Sequence, residues 1–214
     1  MNKKPSANFI ILGSPASGKG TICKILSNKT NSPIVAPGEI YGQLREQNTE
    51  LGKLVKESLK DGGICPNHLT NQIVYDESVI LTNSGFSGVV LDGYPRSIEQ
   101  LDFLQEKYDC GFYLHLDAPY EKLLKASVNR RKCPVCNSVF SLLRENSSCG
   151  CVPESKWITR WDDSAELFEK RYKTYLGITS PIIERVKYLK NYKKINILDI
   201  EPSKIDVSDL INAL

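Results

Sequence analysis

Residues 9–21 read Phe9-Ile10-Ile11-Leu12-Gly13-Ser14-Pro15-Ala16-Ser17-Gly18-Lys19-Gly20-Thr21. Four consecutive apolar residues predict a buried strand, and the glycine-rich turn after them leads into a helical stretch from Thr21 to about Ser27. A strand, turn and helix in this order aim backbone N–H groups and a positive helix end at one point, which suits phosphate oxygens. Gly13, four residues and then Gly18-Lys19 match the spacing of a phosphate-binding loop. Gly20 stands where that pattern places Ser or Thr, and the hydroxyl follows on Thr21. Lys19 is placed to reach the outer phosphates as a mobile point charge. An ordinary strand-to-helix turn is the plainer alternative, and the strand before and helix after weigh against it.

The chain has 214 residues, which suits one domain or one core with insertions. Its 41% hydrophobic and 25% charged residues are those of an ordinary globular protein. A net charge of +3 is too mild to argue for nucleic acid, whereas a phosphate-rich small ligand needs only local positive charge gathered in one cleft. The segment from Met1 to Asn8 is too short for a signal peptide, and no apolar run approaches membrane length. A soluble, cytoplasmic protein with no membrane or nucleic-acid partner is expected. Of seven cysteines, Cys23, Cys65 and Cys110 are scattered, as reduced thiols in a reducing compartment are.

Apolar segments alternate with helical patterns, which predicts an α/β domain with a mainly parallel sheet. Strands are expected at Asn8 to Leu12, Ile34-Val35, Val89 to Leu91, Phe112 to Leu116 and Lys194 to Leu198. Helices are expected from Glu39 to Gln47, Leu51 to Lys60, His68 to Leu81, Ser97 to Glu106, Tyr120 to Arg131, Ser164 to Leu189 and Ser203 to Ala213. Pro181 marks a break in the stretch from Ser164 to Leu189 or a new helix starting at Ser180. Two regions read as insertions: Ala36 to about Pro66, helical with a Gly62-Gly63 turn, and Lys132 to about Trp161, which holds clustered cysteines and the strand-like run Val139 to Leu143.

Val89-Val90-Leu91-Asp92 reads as a buried strand ending in a carboxylate, a place from which an Asp can hold the waters around Mg²⁺ or simply cap a turn. Gly93-Tyr94-Pro95-Arg96-Ser97 follows, with Gln100 beyond. Here the chain resembles adenylate kinases and related nucleoside monophosphate kinases, and the resemblance covers nearly its full length. Gly13 to Thr21 is similar to their GxPGxGKGT loop, and Leu91 to Ser97 with Gln100 to their LDG[FY]PR[ST] segment and later Gln. Arg130-Arg131, then Arg160-Trp161-Asp162-Asp163 and Arg171, are similar to the paired arginines, RxDD turn and helix arginine around the family's lid.

The resemblance implies a three-layer α/β/α P-loop fold with a mainly parallel sheet and two inserted segments. Residues 1–35, 67–129 and 164–214 would form the core, 36–66 the monophosphate-binding insertion and 130–163 the lid. It implies phosphoryl transfer from Mg-ATP to a nucleoside monophosphate, AMP first, by a monomer. Gly13, Ser14, Pro15, Ala16, Ser17, Gly18, Lys19, Gly20, Thr21 and Arg130 would hold ATP, and Asp92 the magnesium through water. Gly38, Gly93, Arg96, Gln100, Arg160 and Arg171 would hold the acceptor, with Lys19, Arg96, Arg130, Arg160 and Arg171 surrounding the transferring group. Arginine suits these places because its planar fork grips two phosphate oxygens at once. Asp162 and Asp163 would orient Arg130 and Arg160, or serve as hinge and helix cap.

Outside the cysteine cluster, the chain departs from the family pattern at four places. Keeping Leu51-Gly52-Lys53 in step with the family's LGK, its acceptor-phosphate Arg falls on Gly42 and its Thr on Pro37, with Arg45 a substitute almost one turn on. Ala126 stands where many members have an Arg over the ATP base. Ala16 replaces a loop glycine, which a negative φ would make tolerable. Losing a charged phosphate contact is worth about 1.5 to 3 kcal/mol, so a kinase for another monophosphate, or a nucleotide-binding protein without efficient turnover, stands beside the AMP reading.

Cys133-Pro134-Val135-Cys136 and Cys149-Gly150-Cys151 bring four thiols into a short span. Four thiolates suit a tetrahedral structural Zn²⁺ in an insertion too small for its own core; a degenerated site with free thiols and a disulfide or redox pair are the alternatives. Many members of the family carry zinc in this lid through a second CxxC, where this chain has CxC. His68 and His115 read as capping or packed residues, Trp157 and Trp161 as packing at the lid base, and Asp117 as a cleft-side or capping carboxylate.

Overall fold

The computed structural model describes residues 4–59, 65–143, 148–159 and 163–196. The chain runs β1 (Ser6–Gly13), α1 (Lys19–Thr30), β2 (Ile34–Val35), α2 (Pro37–Arg45), α3 (Glu50–Ser58), α4 (Asn67–Asn83), β3 (Val89–Asp92), α5 (Ile98–Lys107), β4 (Asp109–Asp117) and α6 (Tyr120–Val128). It continues through β5 (Arg130–Lys132), β6 (Val139–Ser141), a 3₁₀ turn (Glu154–Lys156), α7 (Ala165–Thr174), a π-helical turn (Tyr175–Thr179), α8 (Ser180–Val186) and β7 (Tyr192–Asn196).

The central strands read as continuous apolar runs because both of their faces are covered. Successive side chains point to opposite faces of a strand. Ile10, Leu12, Leu91 and Tyr113 accordingly pack with Val74 of α4, Leu101 and Leu104 of α5, and Ile182 and Val186 of α8. Phe9, Ile11, Val90, Leu114 and Leu116 turn the other way, onto Ile22, Cys23 and Leu26 of α1. Two apolar layers result, and the sheet lies between them.

The five strands lie in the order β2-β3-β1-β4-β7, every neighbouring pair parallel. All five predicted strands are present: β2 has the expected bounds, β1, β3 and β4 are longer than expected, and β7 begins two residues early, its expected last two residues lying outside those described. With β3 and β4 on either side of β1, the strand order switches there, and such crevices at the carboxyl ends of strands are where open α/β sheets bind ligands. Gly13, Asp92 and Asp117 all end strands on that edge.

The helix expected from Tyr120 to Arg131 stops at Val128, and Arg130 to Lys132 form β5 instead, paired antiparallel with β6 in a separate two-stranded sheet. The three cationic residues carry no apolar period to hold a helix, and pairing across the hairpin decides their conformation. Pro181 does start a new helix: it is the second residue of α8, which directly follows the π turn, and near a helix start a missing N–H is tolerated. Arg160, Trp161, Asp162, the Gly62-Gly63 turn and the expected helix from Ser203 to Ala213 lie outside the described residues. Among the described residues no helix is long and apolar enough to cross a membrane.

Candidate active site

The loop after β1 begins with Gly13 at φ +150, where a Cβ would lie 2.7 Å from Leu116 O, so glycine is needed for the close approach of β4. Gly18, at φ +83, is the N-cap of α1 and has no side-chain cap bond. The first α1 bonds run from Thr21 N–H and Ile22 N–H to Gly18 O. The N–H groups at the helix start are thereby left for a ligand, and the helix dipole favours an anion there. Ser14 is buried, as is Ser17, whose Oγ has no hydrogen-bond partner among the described residues. Ala16 departs from the expectation: its φ is +61, in the left-handed region. Closing the loop so tightly requires that turn of backbone, whichever residue occupies it.

Lys19 lies across the loop, its Nζ donating to Gly13 O at 2.9 Å and Ser14 O at 2.6 Å. Burial lowers its pKa to about 8, the charges of Arg96 and Arg171 push the same way, and Asp92 opposes them. One carboxylate and two guanidinium groups, from three separate parts of the chain, are thus within electrostatic reach of one ammonium. Asp92 Oδ2 lies 3.5 Å from where a Cβ on Gly20 would stand, beside the start of α1. Burial, with Asp92 next, raises the Cys23 thiol far above its ordinary range.

Arg96 Nε donates to Gly93 O at 2.7 Å, and its backbone N–H donates to Gln100 Oε1 at 2.7 Å. Gln100 Nε2 donates to Asn67 Oδ1 at 2.9 Å, and Gln100 is 5% exposed. Gln100 is therefore a buried brace under the Arg96 turn, not a solvent-facing helix residue. Asn67 and Asn71 of α4 escaped the sequence reading. Asn71 Oδ1 accepts from Tyr94 Oη at 2.7 Å, and the polar residues Asn67, His68, Thr70, Asn71 and Gln72 ahead of Ile73-Val74 are the available signal.

Arg130 donates from Nε to Asp163 Oδ2 at 2.9 Å and from a second nitrogen to Asp163 Oδ1. The Asp163 side chain has no exposure, and Ser127 Oγ also donates to it, at 3.4 Å. Asp163 thus orients Arg130, while Ser164 caps α7. Asp117 pairs with Lys194 at 2.7 Å, and α6 has no side-chain cap. His115 Nδ1 meets Tyr192 Oη at 2.9 Å, and burial lowers its pKa; His68 is exposed.

The sulfurs of Cys133, Cys136, Cys149 and Cys151 all lie within 4.8 Å of one another. Val135 N–H donates to Cys133 Sγ at 3.4 Å, and Gly150 at φ +72 turns the chain so that the sulfurs on either side of it face the first pair. Glycine takes that left-handed conformation without strain. Phe140 of β6 stacks on Trp157 at 4.6 Å.

A sequence profile of the family described as adenylate kinase matches residues 11–192. The chain belongs to the adenylate kinase family. It is 32% identical over 213 residues to an adenylate kinase of Thermosipho africanus, covering 95% of each chain. It is 36% identical over 180 residues to that of Mycoplasma genitalium, covering 81% of this chain and 82% of the relative. It is 32% identical over 189 residues to that of Thermotoga neapolitana, covering 83% and 84%. Against the family pattern, Pro37 opens α2 at the first helical position, where a missing N–H is no loss. Gly42 lies inside α2 with nothing within 4 Å of an added Cβ, and Arg45, which ends α2, is exposed.

Proposed function

We propose that this member of the adenylate kinase family transfers a phosphoryl group reversibly between Mg-ATP and AMP, as a cytoplasmic monomer. One observation carries the reading: Lys19 Nζ lies across the glycine-rich loop on Gly13 O and Ser14 O, with the Asp92 carboxylate beside the same helix start, and the charges of Arg96 and Arg171 reach that ammonium. An acceptor phosphate is already ionised and needs no base, so charge and alignment are what the chain must supply. The loop and Arg130 hold the ATP phosphates, and Arg96, Arg171 and Arg160 align the acceptor oxygen in line. Gly38, Gly93 and Gln100 line the acceptor side, residues 36–66 bind the monophosphate and residues 130–163 close over ATP. The carboxylate of Asp92, beside the helix start, fits the water shell of the magnesium that ATP brings. That ion neutralises charge between the outer phosphates when bound. The four sulfur positions fit a tetrahedral zinc held by Cys133, Cys136, Cys149 and Cys151, with a structural role only.

Gly42 and Pro37 favour a second reading, a kinase for a different monophosphate. Coupled measurement of ADP formation with AMP, GMP, CMP and UMP separates the two. Fastest turnover with AMP is expected. Turnover confined to another acceptor would establish the second reading, and nucleotide binding without turnover would defeat both.

A further inference from the structure

Tyr41 of α2 reaches across to α4, where its Oη lies 2.6 Å from Thr70 Oγ1. Thr70 is buried and its hydroxyl also lies 3.0 Å from Pro66 O, one turn back along its own helix. A carbonyl can only accept, so the single Thr70 proton goes to Pro66 and the bridge takes its proton from Tyr41. Burial pushes the Tyr41 phenol up to about 12, which keeps it a donor throughout the neutral range, and the charge of Arg96 reaches it. Three residues before Thr70, on the same helix, Asn67 receives Gln100 and Ser97, the residues that hold the Arg96 turn. The bridge and the Arg96 turn are therefore anchored to one short stretch of α4. Gly42, the next residue after Tyr41, offers no side chain of its own to fix α2.

We infer that Tyr41, through its bond to Thr70, is a positioning residue for the acceptor nucleotide, fixing α2 against the α4 face that also carries the Arg96 turn. The inference rests on reading residues 36–66 as the acceptor-binding segment. It differs from a general packing role in being one-sided: α2 does not touch the phosphate loop through this bond, so ATP should not feel its loss. It also assigns a direction to the bond. An oxygen must remain at position 70 to accept, and a hydroxyl at position 41 to give.

The test is calorimetric binding of AMP and of ATP to the wild type, Tyr41→Phe, Thr70→Val and Thr70→Ser, with KM and kcat measured beside it. Tyr41→Phe and Thr70→Val should each weaken AMP binding about fivefold, the effect of one lost hydrogen bond, and leave ATP binding and kcat near wild type. Thr70→Ser should restore AMP binding, and the double variant Tyr41→Phe with Thr70→Val should be no worse than either single change. Unchanged AMP binding in Tyr41→Phe, or equal weakening of both nucleotides, would overturn the inference. A wild type that binds AMP with the expected asymmetry in its variants, yet does not turn over, would overturn the catalytic reading alone.

Discussion

Ala16 holds φ +61 inside the phosphate loop, where a Cβ crowds the neighbouring carbonyl and glycine moves freely. Ala16→Gly removes that strain but loosens the unfolded chain, so a net gain of about 0.5 to 1 kcal/mol is expected. A thermal melt should show it as a rise of about 1 to 4 °C; a fall would show the methyl to be packed usefully. Lys19 carries a pH dependence of defined sign, because its pKa is lowered to about 8 chiefly by burial. A bound polyphosphate restores the charge, so ATP binding should take up a proton at about pH 9 and none at about pH 7, where phosphate oxygens have finished titrating. ATP affinity should therefore fall as pH rises from 8. Calorimetry in buffers of different ionisation enthalpy reads that uptake directly, and a flat profile would contradict it. Lys19, Asp92 and Arg96 were legible in the sequence because the loop and a strand end carry them. The sign of φ at Ala16 was not, since it follows from loop closure, and neither was the bond from Tyr41 to Thr70. Each is an ordinary helix residue when read alone, and 29 positions separate them.

Helices were read correctly wherever an apolar stripe met a packed face, and misread where neighbouring elements decided the outcome. Arg130 to Lys132 became a strand through pairing with β6, a contact no local period announces. Helix α2 presents a different case, since nothing lies within 4 Å of where a Cβ on its interior Gly42 would stand. In an exposed helix interior glycine is worse than arginine by up to about 1 kcal/mol. Gly42→Arg should therefore stabilise the protein by part of that amount. It should also lower KM for AMP by about tenfold, if a guanidinium there grips the acceptor phosphate. Melting and acceptor kinetics check the two effects separately. A stabilised variant with unchanged KM would show that α2 points this position away from the acceptor.

Across the molecule, the parallel sheet was legible because its central strands are apolar on both faces and helices alternate with them. The small sheet of β5 and β6 has no such signature, and its stability must come from elsewhere. Phe140 stacked on Trp157 is one source, and the crowded sulfurs of Cys133, Cys136, Cys149 and Cys151 are another. Purified protein is expected to carry about one zinc ion per chain, measured by elemental analysis. Cys149→Ser should lose the metal, and chelation should lower the melting temperature of the wild type and not of that variant. Stoichiometric absence of metal would count against the site.

Arg130 opens this small sheet and Asp163 stands just before α7, and the two meet in a doubly bonded ion pair. The pair ties off the stretch between them at its neck. Variation in that stretch, in length or in the spacing of its cysteines, is closed off there and reaches the sheet core only weakly. A chain built this way can exchange one ornament for another while keeping its engine, and a CxC in place of a CxxC is the kind of change such a neck allows.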